Sequence, residues 1–129
     1  MLNVAAAIIK KDNTVLLTRR APSEKLAGFW EFPGGKQEAN ETIQECLERE
    51  LKEELEIETH CTDILVESIY EYPNGTLNLV AIDTEILDGE ISLSVHDKYA
   101  WVDVEKLLDY KLAPADIPIA EWLIQTATQ

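Results

Sequence analysis

The segment formed by residues 42–55 constrains the fold most, because it carries a clear helical period over almost four turns. Apolar residues recur there every four positions, at Ile43, Leu47, Leu51 and Leu55. Thr42 followed by Glu45 fits a capping box, in which the threonine hydroxyl and the glutamate carboxylate bind the exposed amides at a helix start. The sequence therefore predicts a helix over 42–55 with one face in the core.

Strand-like segments lie on both sides of this helix. The expected strands are residues 4–9, 14–18, 62–70, 77–85 and 100–102, and Pro33-Gly34-Gly35 between them predicts a loop. A short helical turn is expected at 104–108 and a last helix at 117–126, with Asp116 as its cap. This order predicts an α/β fold with a mixed sheet packed between helices, in a single domain over residues 1–129.

Composition and cysteine content favour a cytoplasmic globular protein. Of the 129 residues, 46% are hydrophobic and 28% charged, which is typical of a soluble domain. The longest apolar runs are strand-sized, so we expect neither a membrane span nor a signal peptide. Cys46 and Cys61 do not have a metal-ligand spacing, and two reduced thiols are expected rather than a disulfide.

The charge balance narrows the possible ligands. A net charge of −14 argues against binding a nucleic-acid polymer, because such binding depends on Lys and Arg at the phosphates. A small anionic substrate is compatible with this charge, since a divalent cation bridges carboxylates to phosphates.

Three carboxylates on the predicted helix suggest where that cation binds. On a helix, Glu50, Glu53 and Glu54 fall within an arc of about 100° that borders the leucine stripe. Carboxylates crowded at a buried edge repel one another and have raised pKa values, and Mg²⁺ removes that penalty. The alternative is a solvated acidic helix face, the usual meaning of a Glu-rich helix.

The loop before the helix favours the metal-site interpretation. Gly34-Gly35 allows close approach of backbone to a ligand, and Lys36 is suited to phosphate. Together with the helix, Gly35-x5-Glu41-x7-Arg49-Glu50-Leu51-x-Glu53-Glu54-x-Glu56-Ile57 resembles the Nudix box. The departure is Glu56, where the family has a glycine in left-handed conformation. If that geometry is kept, Glu56 costs up to about 1–2 kcal/mol.

Nearly the whole chain resembles the MutT branch of the Nudix family, through Leu16–Arg20, Trp30–Lys36, Tyr70–Pro73 and Leu112–Pro118. The resemblance implies an α/β/α sandwich and hydrolysis of a nucleoside triphosphate to a monophosphate and pyrophosphate. It also implies that Mg²⁺ or Mn²⁺ is held by Glu50, Glu53, Glu54 and the Gly34 carbonyl. Glu50 is expected to activate the attacking water, with Glu53 as its rival, and Arg49 to orient carboxylates.

The remaining candidates are assigned partly by resemblance. Arg20 and Lys36 are expected to neutralise phosphates or hold the nucleotide, and Asp97 to be a further metal ligand; a surface arginine and a plain loop aspartate are the alternatives. Asp116 is expected to read an exocyclic amine of the base, because an ionised aspartate only accepts hydrogen bonds. Phe32 and Trp30 either flank the base or belong to the core. His60 and His96 are expected to face solvent.

The sequence leaves the substrate and the oligomeric state open. The leading hypothesis is a nucleotide-pool pyrophosphohydrolase acting on 8-oxo-dGTP or cytidine nucleotides, as a monomer or weak homodimer. The alternatives are a non-catalytic nucleotide-binding module and a hydrolase of ADP-ribose or dinucleoside polyphosphates. For the last, Tyr72 and Pro73 lie where those branches carry marker residues, although they fit the MutT branch equally well.

Overall fold

The computed structural model describes residues 1–127 of the chain. Two α-helices in this range are α1 (Ile43–Leu55) and α2 (Ile117–Ala127), and short 3₁₀ segments cover Val104–Asp109 and Pro114–Asp116. The strands in chain order are β1 (Leu2–Lys11), β2 (Thr14–Arg20), β3 (Trp30–Glu31), β4 (Gly34–Lys36), β5 (Glu58–Tyr72), β6 (Gly75–Asp88) and β7 (His96–Asp103).

The strands form a mixed sheet, as predicted. The path through it runs β3-β2-β1-β6-β5, with β4 added beside β1 and β7 added beside β2. β1 and β6 are parallel, from Leu2 opposite Leu77 to Ile9 opposite Thr84, whereas the other strand pairs are antiparallel. β1 contacts β2 only at its end, where Lys10 lies opposite Val15. The sheet therefore opens between β4 and β3.

β1 divides the core into two layers, because successive side chains of a strand point to opposite faces. Ala5, Ala7 and Ile9 pack with the apolar stripe of α1. Ala6 and Ile8 pack on the other face with residues of α2 and of the Val104–Asp109 segment. This arrangement is the predicted α/β/α sandwich.

Helix α1 begins and ends as the sequence predicts. The Thr42 hydroxyl accepts from the Glu45 amide at 3.0 Å, and the Glu45 carboxylate accepts from the Thr42 amide at 2.8 Å. At the other end, Glu56 adopts the left-handed conformation with φ 58°, and its N–H donates to the Lys52 carbonyl. The glutamate thus keeps the geometry that favours glycine, together with its strain.

The predicted loop at Gly34-Gly35 is wrong, because both glycines lie in β4 and pair with β1. A Cβ on Gly34 would overlap the carbonyl oxygen of Ala5, so only glycine allows this close approach of the two backbones. β5 and β7 are also longer than predicted. Their added residues are mostly polar or exposed, so the apolar pattern did not include them.

Two further expectations concern the cysteines and the membrane. Cys46 and Cys61 are free, as predicted, and both are buried. No helix within residues 1–127 is long and apolar enough to cross a membrane.

Candidate active site

The contact between β4 and α1 places Glu50. Its side chain is 17% exposed and lies against Gly35, where a Cβ would overlap the carboxylate. Gly35 therefore makes room for a functional side chain, whereas Gly34 makes room for a neighbouring backbone. Both glycines are therefore required by close packing within the protein.

Arg49 donates hydrogen bonds to the carboxylates around it. Its Nε and Nη2 donate to both oxygens of Glu41, at 3.1 and 2.8 Å. Nη1 donates to Glu50 at 2.9 Å and to Glu53 at 3.4 Å, and Nη2 also donates to the Lys36 carbonyl. The hydrogen bonds from Arg49 lower the pKa of Glu41 to about 2. Glu41 is thus a positioning residue, and its place in the Gly-x5-Glu motif was the signal for it.

Glu53 and Glu54 differ in environment. Glu54 is half-buried, and burial, followed by repulsion from Glu50, raises its pKa to about 7. The Glu53 side chain is 60% exposed, so the expectation that all three carboxylates lie at the buried edge is wrong for Glu53. The acidic face of α1 therefore runs from the Gly35 contact at Glu50 to solvent at Glu53.

The donor set fits a divalent cation, although the side chains are not gathered around one point. Within residues 1–127, no group of three or more acidic, histidine or cysteine side chains is preassembled for a metal ion. Yet Glu50 and Glu54 line one cavity, and burial, followed by repulsion from Glu50, raises the pKa of Glu54, so a cation there would stabilise the Glu54 carboxylate. All these donors are oxygens, the ligands that Mg²⁺ and Mn²⁺ prefer.

Two cavities meet beside these glutamates. One, of about 490 Å³, is lined by residues that include Gly34, Gly35, Glu50 and Glu54. The other, of about 260 Å³, lies deeper and is lined by residues that include Glu31, Tyr72 and Asp116. Arg20 and Lys36 line both cavities, so two cations stand at their junction.

Arg20 belongs to a partly buried polar chain. Its Nε donates to Oε1 of Glu31 at 3.0 Å, and Oε2 of Glu31 lies 2.9 Å from Nε2 of His96. The His96 side chain is 1% exposed, so the expectation that it faces solvent is wrong, whereas His60 is exposed as predicted. Neither Glu31 nor His96 carried a sequence signal for this role.

Asp116 closes the deeper cavity. Its side chain is buried, and Oδ2 accepts from the Phe32 amide at 3.0 Å. Burial, followed by the charge of Glu31, raises the pKa of Asp116 well above its usual value. Asp116 lies in the 3₁₀ segment before α2 and uses its carboxylate on Phe32, so it is not a simple helix cap.

The predicted aromatic and acidic neighbours are placed elsewhere. The Phe32 ring is in the core and lines neither cavity; its amide holds Asp116 instead. Trp30 packs edge-on against Tyr110, with ring centroids 5.1 Å apart. Asp97 forms two 2.8 Å hydrogen bonds to Arg19 and also lines neither cavity. The structure therefore does not bring Asp97 to the glutamates, because it faces away from His96 on the same strand.

Comparison with known proteins identifies the family of this chain. The NUDIX domain matches residues 1–123. The chain is 38% identical over 121 residues to the CTP pyrophosphohydrolase of Escherichia coli K12, covering 94% of this chain and 90% of the relative. It is 38% identical over 125 residues to the 8-oxo-dGTP diphosphatase of Haemophilus influenzae, covering 96% and 92%.

A solved structure gives the same result for the fold. The MutT protein from Methanosarcina mazei Go1 superposes with a TM-score of 0.88 at 26% identity, covering 99% of this chain and 96% of that one. The chain belongs to the NUDIX family, which confirms the resemblance seen in its sequence. Hydrolases of this family generally require divalent metal ions.

Proposed function

We propose that this chain is a nucleoside triphosphate pyrophosphohydrolase that releases a nucleoside monophosphate and pyrophosphate. Its substrate would be a nucleotide removed from the pool, of the cytidine or 8-oxo-guanine type. One observation carries this proposal: a cavity with the glutamates and a cavity with Asp116 meet at Arg20 and Lys36. Cations at the junction fit a triphosphate whose base enters one cavity and whose anhydride lies in the other.

The proposed cofactor is Mg²⁺, with Mn²⁺ as a substitute. Glu50, Glu53, Glu54 and the Gly34 carbonyl would hold it. When bound, the ion neutralises phosphate charge and makes water more acidic. The burial of Glu54 beside Glu50 supports this set, because two close carboxylates in a half-buried place need a counter-charge.

Glu50 is our candidate for accepting the proton of the attacking water, with Glu53 as the rival. Arg49 binds one oxygen of Glu50 at 2.9 Å, which fixes the carboxylate and leaves its other oxygen to take a proton. Glu53 is bound by Arg49 at 3.4 Å and is more exposed, so it is less fixed.

Arg20 and Lys36 would bind the phosphates, and Asp116 would read the base. Oδ2 of Asp116 is occupied by the Phe32 amide, which leaves Oδ1 for the nucleotide. Burial raises the pKa of Asp116, and a base edge that presents an exocyclic amine, as in cytosine and guanine, would donate to Oδ1 and so stabilise the carboxylate form. Phe32 thus serves base recognition through its amide.

We further infer a cytoplasmic enzyme that acts on free nucleotides, as a monomer or weak homodimer, and not on nucleic-acid polymers. The net charge of −14 supports this, since a polymer would meet repulsion outside the small cationic junction. A non-catalytic binding module is disfavoured because all the carboxylates of the box are present.

The test is a panel of substrates assayed at equal Mg²⁺ with kcat/KM as the readout. CTP, dCTP, GTP, dGTP, 8-oxo-dGTP, UTP and ADP-ribose are compared, and the products are separated by chromatography. We expect monophosphate and pyrophosphate, with the highest kcat/KM on an amine-bearing base. Removal of the metal with EDTA should abolish turnover, and added Mg²⁺ should restore it.

Other outcomes of the panel would contradict the proposal. Release of inorganic phosphate instead of pyrophosphate would place cleavage at a different anhydride. A highest kcat/KM on ADP-ribose would move the chain to another substrate class. Tight nucleotide binding by calorimetry without any turnover would support the non-catalytic module.

A further inference from the structure

His96 is a buried polar side chain with no assigned role. It begins β7, and its side chain is 1% exposed. Nε2 lies 2.9 Å from a Glu31 oxygen, whereas the buried Nδ1 has no hydrogen-bond partner within residues 1–127. Within residues 1–127, the hydrogen-bond partner of the His96 ring is therefore Glu31.

Glu31 divides its two oxygens between His96 and Arg20. Oε2 meets the His96 ring, and Oε1 accepts from Nε of Arg20 at 3.0 Å. The Glu31 side chain is only 14% exposed, so solvent does not readily replace either contact. Fixing one oxygen with His96 fixes the direction of the other, and with it the plane of the Arg20 guanidinium.

The strand register explains how these residues come together. Across β2 and β7, Arg19 lies opposite Lys98 but Arg20 lies opposite His96, so the register shifts by one and Asp97 is bulged out. A bulge redirects side chains, and here it puts His96 beside the residue that contacts Arg20. Asp97 is thereby sent to the other face, where it binds Arg19.

Arg20 leaves most of its donors for a ligand. Within residues 1–127 its hydrogen bond goes from Nε to Glu31, and Nη1 and Nη2 make none. The side chain is 33% exposed and lines both cavities. A guanidinium held at Nε with two free terminal nitrogens is suited to bidentate binding of a phosphate.

We propose that His96 is a positioning residue, which acts through Glu31 to hold Arg20 at the junction of the two cavities and so sets the affinity for the nucleotide phosphates. This inference rests on the proposed function for its substrate. The proposed role affects substrate affinity and not the bond-cleaving step, because His96, Glu31 and Arg20 are not among the proposed metal ligands. Loss of His96 should therefore raise KM and change kcat little.

Two substitutions of His96 test this directly. In His96→Gln the side-chain amide nitrogen occupies nearly the place of Nε2 and still donates to Glu31. In His96→Asn the amide nitrogen corresponds to Nδ1 and does not reach. With the best substrate of the panel and Mg²⁺, we expect His96→Asn to raise KM about tenfold, which is about 1.4 kcal/mol of binding. We expect His96→Gln to stay within about threefold of the wild type.

Binding of inorganic pyrophosphate with Mg²⁺, measured by calorimetry, gives a readout without turnover. The same order of affinity is expected: wild type, His96→Gln, then His96→Asn. If no nucleotide is hydrolysed but this order holds, the proposed function fails and the positioning role stands. If nucleotides are hydrolysed and the three proteins bind pyrophosphate equally, the positioning role fails alone.

Spectroscopy separates positioning from a general loss of packing. The Nε–H resonance of Arg20 in a ¹⁵N NMR spectrum should keep its hydrogen-bonded shift in His96→Gln and lose it in His96→Asn. Glu31→Gln combined with His96→Asn should raise KM no more than Glu31→Gln alone, because both act through one contact. Additive effects, or a loss of kcat without a change in KM, would overturn the proposal.

Discussion

Two arginines anchor the two ends of the site in different ways. Arg49, on α1, donates from all three of its nitrogens to protein oxygens, chiefly those of Glu41 and Glu50. Arg20, at the end of β2, donates only from Nε within residues 1–127, to Glu31. The first guanidinium is saturated within the fold, and the second keeps its terminal nitrogens for a ligand.

The two arginines therefore suit different tasks at the two ends of the site. A saturated arginine fixes carboxylates in place and has little left to offer a substrate, which suits the end where bond cleavage requires rigid geometry. A partly free arginine supplies charge to an incoming phosphate. Changes at the α1 end should therefore affect kcat, and changes at the Arg20 end should affect affinity and base preference.

The largest expected effect is at the α1 end. Glu50→Gln keeps an oxygen to accept from Arg49 but does not accept a proton, so kcat should fall by roughly 10²–10⁴ with a small change in melting temperature. Glu56→Gln, the same change just past the end of this helix and outside the site, is the matched control. Steady-state kinetics that showed a similar kcat for Glu50→Gln and the control would contradict the role of Glu50.

The next effect is at the other end, in the choice of base. In Asp116→Asn the side-chain oxygen continues to accept from Phe32, and the amide presents a donor where the carboxylate presented an acceptor. We expect kcat/KM for the preferred amine-bearing base to fall about 10–100-fold, while UTP changes little or improves. An equal fall for all bases would make Asp116 a structural residue only.

The sequence predicts the residues at the α1 end of the site better than those at the Arg20 end. Arg49, Glu50, Glu53 and Glu54 share a helix, so their neighbourhood follows from its period. Arg20, Glu31 and His96 come from three separate strands and meet through strand register and one bulge, which local patterns do not specify. Asp116 comes from the 3₁₀ segment before α2 and is placed by its contact with Phe32.

Three local features of the structure differ from what the sequence predicts. The bulge turned His96 inward and Asp97 outward, the reverse of what their sequence suggested. The sequence singles out the Phe32 ring, but the structure uses the Phe32 amide, since backbone donors leave no mark in composition. The sequence predicts a loop at Gly34 and Gly35 because their pairing with β1 depends on the distant Ala5 and Ala6.

A third prediction concerns pH and compares two carboxylates at the α1 end, Glu54 and Glu41. The pKa of Glu54 is about 7 in the fold against 4.5 in its usual state, so the folded protein binds this proton more tightly. Metal-free protein should therefore gain stability as pH falls from about 7 toward 4.5 and lose it as pH rises. The gain is about 1–2 kcal/mol after allowance for solvent screening.

Thermal melts in EDTA at several pH values, compared between wild type and Glu54→Gln, measure this gain. The difference in melting temperature between the two proteins should shrink from pH 8 to pH 5. The Glu41 carboxylate has the opposite effect on stability, because Arg49 lowers the pKa of Glu41 to about 2. The stabilisation from Glu41 is therefore lost only as pH falls below 4.5. A difference that is constant across pH 5–8 would show that Glu54 is not strained by burial.

The smallest expected effect lies outside both ends, at the helix terminus. Glu56→Gly removes the strain of a left-handed glutamate and a negative charge at the helix C-terminus, so unfolding free energy should rise by about 1 kcal/mol. Glu56→Gln removes only the charge, so it should raise the unfolding free energy by about a few tenths of a kcal/mol. Denaturant unfolding distinguishes the two variants, and kcat should be unchanged in both. A destabilised Glu56→Gly would show that the Glu56 side chain has a favourable role.

Metal-dependent hydrolysis at the α1 end is tested most directly by measuring pyrophosphate release from the preferred triphosphate with Mg²⁺ by Glu53→Gln and Glu54→Gln. Each variant should lose activity by about 100-fold or more and need more Mg²⁺ for half-maximal rate, because each loses a metal-holding carboxylate. Wild-type rates and wild-type Mg²⁺ dependence in both variants would contradict it.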